Sequence, residues 1–477
     1  MSLAIHLRCE IVIPFCVFHG HNDFIEQPYT MWLLRRMVGK SGNRPHDVYT
    51  CYRLTTFMAL CLGIVPYYVT ISSEGRGKLT SSYIGYINII IRMAIYMGNS
   101  FYGAVNRDTL MSNFFLTDIS NVIDALQKIN GMLGIFAILL ISLLNRKELL
   151  KLLALFDGLE TEAFPRVGVA MQQVAANKKM NRLVMILVGS MVAYITCSFL
   201  MIGLRDTATF SISAVISYFS PHFIVCAISF LAGNVMIKLR IYLGALNEVL
   251  KNLAHQWDTR SLKAVTQKQR SLQCLNSFSM YTIVTKDPAE IIQESMEIHH
   301  LICEAAATAN KYFTYQLLTI ISIAFLIIVF DAYYVLETLL GKSKRESKFK
   351  TVEFVTFFSC QMILYLIAII SIVEGSNRAI KKSEKTGGIV HSLLNKTKSA
   401  EVKEKLQQFS MQLMHLKINF TAAGLFNIDR TLYFTISGAL TTYLIILLQF
   451  TSNSPNNGYG NGSSCCETFN NMTNHTL

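Results

Sequence analysis

The sequence predicts an all-α, polytopic membrane protein with seven transmembrane helices, a cytoplasmic N-terminus and an extracellular C-terminus. Of its 477 residues, 52% are hydrophobic and only 15% are charged, with a mean hydropathy of +0.38. Soluble globular domains carry about 25% charged residues, so a soluble fold could not bury this much apolar surface. The two other observations behind the prediction are the long apolar stretches and the side of the membrane on which the basic residues collect.

A transmembrane helix needs about 20 apolar residues to cross roughly 30 Å of hydrocarbon. Seven stretches meet this requirement: 79–103, 121–144, 181–204, 211–238, 313–340, 352–376 and 431–450. An eighth apolar stretch, from Leu54 to Ile71, is shorter and carries Pro66 near its end. Because proline interrupts helices, we interpret this stretch as an interfacial or re-entrant segment.

The basic residues set the orientation, because cytoplasmic loops of membrane proteins are enriched in Lys and Arg. With the N-terminus inside, seven Lys and Arg fall in the outer segments, five of them between Lys342 and Lys350, and most of the others face the cytoplasm. The excess of 43 basic over 30 acidic residues therefore fits a membrane-lipid surface, and no nucleic-acid partner is predicted.

The C-terminal tail after Phe450 carries no Lys or Arg. It contains three N-glycosylation sequons, at Asn461, Asn471 and Asn474. Both features indicate an extracellular tail. Two further sequons, at Asn395 and Asn419, fall in a region predicted to be cytoplasmic and must then stay unglycosylated.

A glycosidase experiment tests this orientation. Enzymatic deglycosylation is expected to reduce the mass of the protein, since the tail faces the lumen during synthesis. Combined substitution of Asn461, Asn471 and Asn474 by glutamine is expected to abolish the mass shift on a gel. A shift that survives the triple substitution would point to Asn395 or Asn419 and reverse the orientation.

The predicted organisation has five parts along the chain. They are a cytoplasmic N-terminal region with the re-entrant segment (1–78), a six-span ligand-binding bundle with its loops (79–376), a cytoplasmic loop and anchor helix (377–426), the last span (427–450) and the extracellular tail (451–477). The insert 242–311 mixes polar and helix-forming residues and is expected to be partly helical. Apolar residues at steps of three or four predict a helix over 401–420, ended by Gly424.

The last span carries a narrow polar or small face. Its members follow at steps of four, three, four, three and four: Thr431, Thr435, Gly438, Thr442, Ile445 and Gln449. At about 100° per residue they lie within about 40° of one line. Two interpretations stay open: a seam of small residues where membrane helices approach closely, or the lining of a pore made by several copies of this helix.

The end of this span resembles a known family. The run from Thr442 to Phe450, TYLIILLQF, is similar to the TYhhhhhQF signature of insect gustatory receptors, where h is hydrophobic. The wider stretch AGLFNIDRTLYFTISGALTTYLIILLQF resembles the fructose-receptor subfamily of the silkworm type. The resemblance implies a homotetrameric ligand-gated cation channel in the plasma membrane that passes Na, K and Ca. It also implies a central pore, a D-fructose pocket in each subunit and no cofactor.

Polar residues near the outer ends of four spans are candidates for that pocket, because polar groups inside a membrane are costly and often functional. They are Asp124, Gln127 and Lys128; Ser213, Tyr218 and His222; Asp331, Tyr333 and Tyr334; and Thr356, Ser359 and Gln361. Carboxylates, amides and aromatic rings are the groups that bind a hexose. Asp331 stands out, since it interrupts a long apolar run. The tyrosines could instead be membrane-interface residues, and Lys128 could pair with Asp124.

The outer end of the last span is the predicted gate. Gln449 shares the narrow face with Thr442 and Ile445, whereas Tyr443 and Phe450 are each turned about 100° away from their neighbours on it. We expect Phe450 to close the pore in the resting state and Gln449 to line it when the helix rotates or bends. Ile445 is the next candidate for the constriction.

Other functional classes fit the sequence less well. A G-protein-coupled receptor would have the opposite orientation and the DRY and NPxxY elements, which are missing from the sequence. A secondary transporter would show internal repeats; none is visible, but this class remains the alternative. No HExxH, GxSxG or phosphate-binding glycine loop predicts an enzyme, and the eleven cysteines show no CxxC spacing for a metal.

Overall fold

Seven long helices, one for each predicted span, dominate this computed structural model. It describes residues 56, 59–60, 62–71, 77–106, 118–169, 173–203, 212–261, 286–340 and 351–453. Ser213 and Asp124 lie in helices, but the side chains of these two residues are outside the described part. The basic outer loop 342–350 and the tail with Asn461, Asn471 and Asn474 also lie outside it.

The seven helices confirm the predicted spans. They are α1 (Tyr83–Asn106), α2 (Asp118–Leu144), α4 (Gln173–Gly203), α5 (Ile212–Ser261), α6 (Pro288–Leu339), α7 (Thr351–Lys396) and α9 (Thr431–Asn453). Among the described residues, five of them, α2, α5, α6, α7 and α9, are long and apolar enough to cross a membrane. Helix α4 contributes a shorter apolar segment, Met185–Leu200. In α1, which is a continuous helix, the polar residues Asn88 and Arg92 interrupt the apolar sequence.

Helices α5 and α6 are much longer than a membrane is thick. They have 50 and 52 residues, which at about 1.5 Å per residue is more than twice the hydrocarbon thickness of roughly 30 Å. The expectation that 242–311 is partly helical is correct, because both helices continue into it. The continuation of α5 is held by buried leucines at helical spacing, namely Leu243, Leu246, Leu250 and Leu253.

Helices α5 and α7 run in the same direction and keep one register along their length. Three contacts mark it, at sequence separations of 143, 139 and 139 residues: Tyr218 with Gln361, Met236 with Gly375, and Asn247 with Thr386. Helix α6 packs against both and also contacts α2 and α9. Each of these three helices is therefore continuous from one end of the bundle to the other.

The loop after α2 docks onto α5 through a buried ion pair. It forms α3 (Arg146–Gly158), a π-helical turn (Leu159–Ala163) and a final turn ending at Arg166. Glu160 in the π-helical turn accepts hydrogen bonds from the Lys238 ammonium at 2.7 Å and the Tyr242 hydroxyl at 2.6 Å. The Lys238 side chain is only 1% exposed, so Glu160 is the counter-ion of a buried cation.

The segment before α1 differs from its prediction in part. Tyr67–Ile71 and Gly77–Ser81 form an antiparallel hairpin, β1 and β2, so residues 79–81 do not belong to the first span. Helix α1 begins after Ser82, whose hydroxyl accepts a hydrogen bond from the backbone N–H of Gly85 and so caps the helix. Upstream of the hairpin, Gly63 packs against the Arg92 side chain.

The anchor helix is shorter than predicted. It is α8 (Ala400–His415), and residues 416–420 are not helical. The chain is instead extended, because Ile418, Phe420 and Ala422 are buried in alternation, the period of a strand. A small hairpin of β3 (Thr421–Ala422) and β4 (Phe426–Asn427) then leads to α9, with Gly424 at a positive φ of 73° in the turn.

Candidate ligand-binding site and pore helix

Six polar or aromatic residues meet between α4, α5, α6 and α7, in the halves of these helices that the predicted orientation places toward the outside. They are Tyr194 on α4, Tyr218 and His222 on α5, Asp331 on α6, and Gln361 and Tyr365 on α7. We call this set the polar cluster. Of the six, all but Tyr218 are at most 3% exposed in the chain. The cluster therefore sits inside the helical bundle and not on its lipid-facing surface.

Hydrogen bonds join three of these side chains across three helices. The hydroxyl groups of Tyr194 and Tyr218 lie 2.7 Å apart, and the Tyr218 hydroxyl donates to the Gln361 carbonyl oxygen at 2.9 Å. The Tyr194 hydroxyl is 3.4 Å from the same oxygen. Any displacement of α4 or α5 against α7 changes these contacts directly.

The remaining groups have hydrogen-bonding atoms with no partner. Both carboxylate oxygens of Asp331, Nε2 of His222 and the Tyr365 hydroxyl are buried without one. Nδ1 of His222 contacts the Tyr218 carbonyl oxygen at 2.9 Å; because a carbonyl can only accept, Nδ1 carries the proton and Nε2 of the neutral ring is an acceptor. Buried polar atoms are normally paired, so these unpaired atoms are positions at which a hydrogen-bonding ligand would find partners.

Aromatic rings line the polar cluster. The rings of Tyr194 and His222 stack with centroids 5.0 Å apart, and Tyr194 also lies 6.2 Å from Phe357. Tyr365 lies 5.5 Å from His222. Flat rings beside hydrogen-bonding groups are the combination that a ligand with both an apolar face and polar edges requires.

The structure brings together four of the predicted pocket residues: Tyr218, His222, Asp331 and Gln361. Tyr333 and Tyr334 are buried nearby on α6, where Tyr334 packs on Phe358 at 5.1 Å. Gln127 and Ser359 are half-buried and are not part of the polar cluster as defined. Two other candidates, Lys128 and Thr356, are exposed, and the Thr356 hydroxyl donates to the carbonyl of Val352 in its own helix.

Two cluster residues were not predicted from the sequence, Tyr194 and Tyr365. Tyr365 follows Gln361 by four residues, so helical periodicity places both on one face, a signal that was present in the sequence. Tyr194 has only the small hydroxyl residues Ser190 and Ser198 one turn away on α4, and these bond to carbonyls of their own helix.

The last helix, α9, is almost wholly exposed within the single chain. Its contact face packs on the core of the bundle, chiefly on α6, through Leu432, Tyr433, Ile436, Leu440 and Leu444. The five described side chains of the narrow face, and the backbone of Gly438, are exposed on the other side. Tyr443 contacts Phe325 of α6, with ring centroids 5.9 Å apart. Phe450 belongs to the helix, but its side chain lies outside the described residues.

The start of α9 is tied to α7 by an ion pair. The Arg430 guanidinium donates to both oxygens of Glu374, at 2.8 and 3.1 Å. Helix α9 begins at the next residue, because the Asp429 carboxylate accepts a hydrogen bond from the backbone N–H of Thr431 at 2.8 Å and caps the helix. Since α7 also carries Gln361 and Tyr365, one rigid helix connects the polar cluster to the base of α9.

A sequence profile described as 7tm chemosensory receptor matches residues 52–454, which is most of the chain. The chain belongs to this family. It is therefore a multi-pass plasma-membrane receptor, from a family of ligand-gated cation channels, and not an enzyme. The predicted membrane class and localisation are confirmed.

Relatives narrow the assignment of the receptor. Gustatory receptor 28b of Drosophila melanogaster is 62% identical over 445 residues, covering 90% of this receptor and 92% of that protein. Gustatory receptor 28a of the same species is 32% identical over 86% and 95%. The resemblance to insect gustatory receptors is thus confirmed. The receptor for sugar taste 43a is 24% identical over 49% of this chain and 58% of its own, so membership of the fructose subfamily stays a prediction.

Solved structures agree on the fold of the receptor. The insect olfactory receptor OR5 from Machilis hrabei has a TM-score of 0.55, with 12% identity, and the match covers 85% of this receptor and 100% of that chain. The same olfactory receptor in complex with eugenol gives a TM-score of 0.52. At this identity the likeness shows the fold alone, which is the seven-transmembrane fold predicted from the sequence.

Proposed function

We propose that this receptor is a homotetrameric, non-selective cation channel that opens when a small polyhydroxylated molecule, D-fructose foremost, binds to the polar cluster. The observation that carries the proposal is the buried carboxyl group of Asp331, whose two oxygens have no hydrogen-bond partner. A sugar brings several O–H donors on an apolar ring. Asp331, His222 and Tyr365 have the acceptors those donors need, and the aromatic rings can face the sugar ring.

The pore is proposed to lie between four copies of α9. The support is the exposed polar face of α9, from Thr431 to Gln449, on a helix whose other side packs against α6. Polar residues exposed to lipid are costly, whereas the same face lining water is not. Four copies around one axis would hide this face from lipid and give Na, K and Ca a path past Gln449, Phe450, Ile445 and Thr442.

A second ligand class is favoured by the same carboxylate. A protonated amine would neutralise Asp331 and lie against the rings of Tyr194 and Tyr365, as cations do over aromatic faces. The sequence relationships do not decide between the two classes, because the receptor for bitter taste 66a is 26% identical over 34% of this chain, similar to the identity of the sugar-taste receptor.

Recording currents from cells that express this receptor alone tests the function. D-fructose is expected to evoke a rapid inward current that reverses near zero voltage, and disaccharides are expected to evoke little. A current evoked by amines and not by sugars would assign the second ligand class. Sugar uptake without any current would instead support the transporter that the sequence left open.

Asp331→Asn separates the two ligand classes. The amide keeps the size of the carboxylate but loses its charge, so sugar hydroxyls lose charge-assisted hydrogen bonds and the half-maximal fructose concentration is expected to rise about tenfold. An amine ligand would lose its counter-ion, and its response would disappear. Dose–response curves of surface-expressed channels give the measurement.

Thr356→Val is the matched control for this substitution. It removes a predicted candidate of the same layer that is exposed and bonded to its own helix, so the dose response should not change. An unchanged fructose response in a well-expressed Asp331→Asn channel would place the ligand elsewhere.

A further inference from the structure

Four basic side chains without an ion-pair partner collect where α5 and α7 leave the membrane on the inner side. They are Arg240 on α5 and Lys381, Lys382 and Lys385 on α7, and we call them the basic cluster. No salt bridge joins any of them to an acidic residue in the part of the chain that the structure describes. Lys381 and Lys385 are exposed, and the other two are half-buried.

Lys382 is held in place and is not a freely moving surface lysine. Its backbone carbonyl accepts a hydrogen bond from the Asn247 amide at 3.0 Å, and Asn247 in turn accepts from Thr386 at 2.7 Å. Its side chain lies over Gly244, where an added Cβ would be 3.9 Å from the ammonium nitrogen. The parallel register of α5 and α7 therefore fixes this ammonium group beside α5.

The acidic residues nearby do not neutralise the basic cluster. Glu248 is paired with Lys251 at 3.0 Å, and Glu374 is paired with Arg378 and Arg430; Glu384 is exposed on α7. The pKa of Lys382 is lowered, first by its burial and then by the positive charge of Lys251; Glu248 opposes this effect, and Lys385 and Arg240 add smaller lowering effects. Like charges at close range cost free energy, and a bound anion would remove that cost.

The depth of the basic cluster identifies the kind of anion. The fourth and sixth predicted spans end near residues 238 and 376, so Arg240 and Lys381 lie within two turns of the inner membrane boundary. With the N-terminus cytoplasmic, as the charge distribution predicts, this is the headgroup layer of the inner leaflet. Basic residues at this level of a transmembrane helix are attracted to anionic lipids.

We propose that the basic cluster binds the phosphorylated headgroup of a phosphoinositide in the inner leaflet. Each phosphate carries between about one and a half and two negative charges, so one polyphosphorylated headgroup matches several cations on two helices, where a singly charged phospholipid would meet only one. The bound headgroup bridges α5 and α7 below the polar cluster. It thereby stabilises the packing through which a ligand would act on the rest of the receptor.

The test measures binding to the purified full-length receptor in phosphatidylcholine nanodiscs, using the fluorescence anisotropy of a short-chain, dye-labelled phosphatidylinositol bisphosphate. The variant Lys382→Gln with Lys385→Gln removes two cations. At about 1 kcal/mol for each basic residue near the surface, the affinity is expected to fall roughly 30-fold. The matched control is Lys398→Gln with Lys403→Gln, which removes the same charge from exposed positions farther along the chain and should change the affinity less than twofold.

Each other outcome decides against the site. An equal loss in both variants would mean that only the overall charge of the cytoplasmic surface attracts the lipid. Equally tight binding of dye-labelled phosphatidylserine would exclude a phosphoinositide site, and equally tight binding of soluble inositol trisphosphate would assign a free phosphate ligand in place of a lipid. If the first variant is not monodisperse, Arg240→Gln with Lys381→Gln applies the same test without touching Lys382, and unchanged binding there would overturn the proposal.

Discussion

Substitution of Arg430 by alanine is expected to lower the maximal ligand-evoked current about tenfold, the size of a typical coupling between two sites, while leaving ligand affinity nearly unchanged. Arg430 contacts Glu374 with two hydrogen bonds and lies directly after Asp429, the residue that caps α9. The pair is partly exposed, so its loss should cost the fold little stability. What is lost is the attachment of α9 to the helix that carries Gln361. Current amplitude and ligand binding, measured on the same cells, separate the two effects.

Two further variants control this experiment. Arg378 pairs with the same Glu374 carboxylate from within α7, so Arg378→Ala removes a neighbouring charge without detaching α9 and should keep the current. The exchange Glu374→Arg with Arg430→Glu should restore much of what either single change loses. If Arg378→Ala reduces the current as much as Arg430→Ala does, the charge near Glu374 matters and the link between helices does not.

Substitution of Phe450 by alanine is expected to give a channel that conducts before any ligand is added. Four phenyl rings at the outer end of the pore would form an apolar constriction that excludes water and ions, and removing them leaves that opening wet. Ligand binding must favour the open arrangement through its higher affinity for that state, so ligand should add little current to a gate that is already open. The measurement is the current at rest relative to the current at saturating ligand.

Phe434→Ala is the matched control for the gate, since Phe434 is a phenylalanine of the same helix that is 81% exposed near its other end. It should stay silent at rest, and Gln449→Ala should change conductance or gating without changing ligand binding. If Phe450→Ala reaches the surface, is silent at rest and opens normally with ligand, the constriction lies elsewhere, and Ile445 is the next residue to substitute.

The transmembrane helices could be predicted because their signal is local. A run of about 20 apolar residues leaves few alternatives to a helix in a membrane, and all seven spans were found. The elements at the membrane edges were harder. Leu416 and Phe420 fit a helical period when taken together, but the burial of Ile418, Phe420 and Ala422 shows an extended chain. Whether such a short segment is helical or extended depends on the part of the folded protein against which it packs, and its own sequence does not contain that information.

For the candidate site, the sequence predicts how deep in the membrane each residue lies, but not toward which neighbouring helix its side chain points. Counting residues along each span places Asp331, His222 and Gln361 in one layer, and the structure brings them together. Direction around the helix decides the rest: Thr356 precedes Gln361 by five residues and so points about 140° away, whereas Tyr365 follows it by four and points within about 40°. On α4, only the serines Ser190 and Ser198 lie four residues from Tyr194, so its place in the polar cluster depends on how α4 rotates against α7.

The ion pair between Glu160 and Lys238 bears on how the receptor is made. Glu160 is synthesised 78 residues before Lys238, so, with the N-terminus cytoplasmic as the charge distribution predicts, the acidic π-helical turn is already in the cytoplasm when α5 enters the bilayer. A lysine that reaches the inner end of a span unpaired resists insertion. Here the counter-ion, Glu160, is synthesised first, and the hydroxyl of Tyr242, one helical turn beyond Lys238, donates a hydrogen bond to the same carboxylate. Loss of Glu160 is therefore expected to lower the amount of receptor that inserts and reaches the cell surface, before any ligand is present.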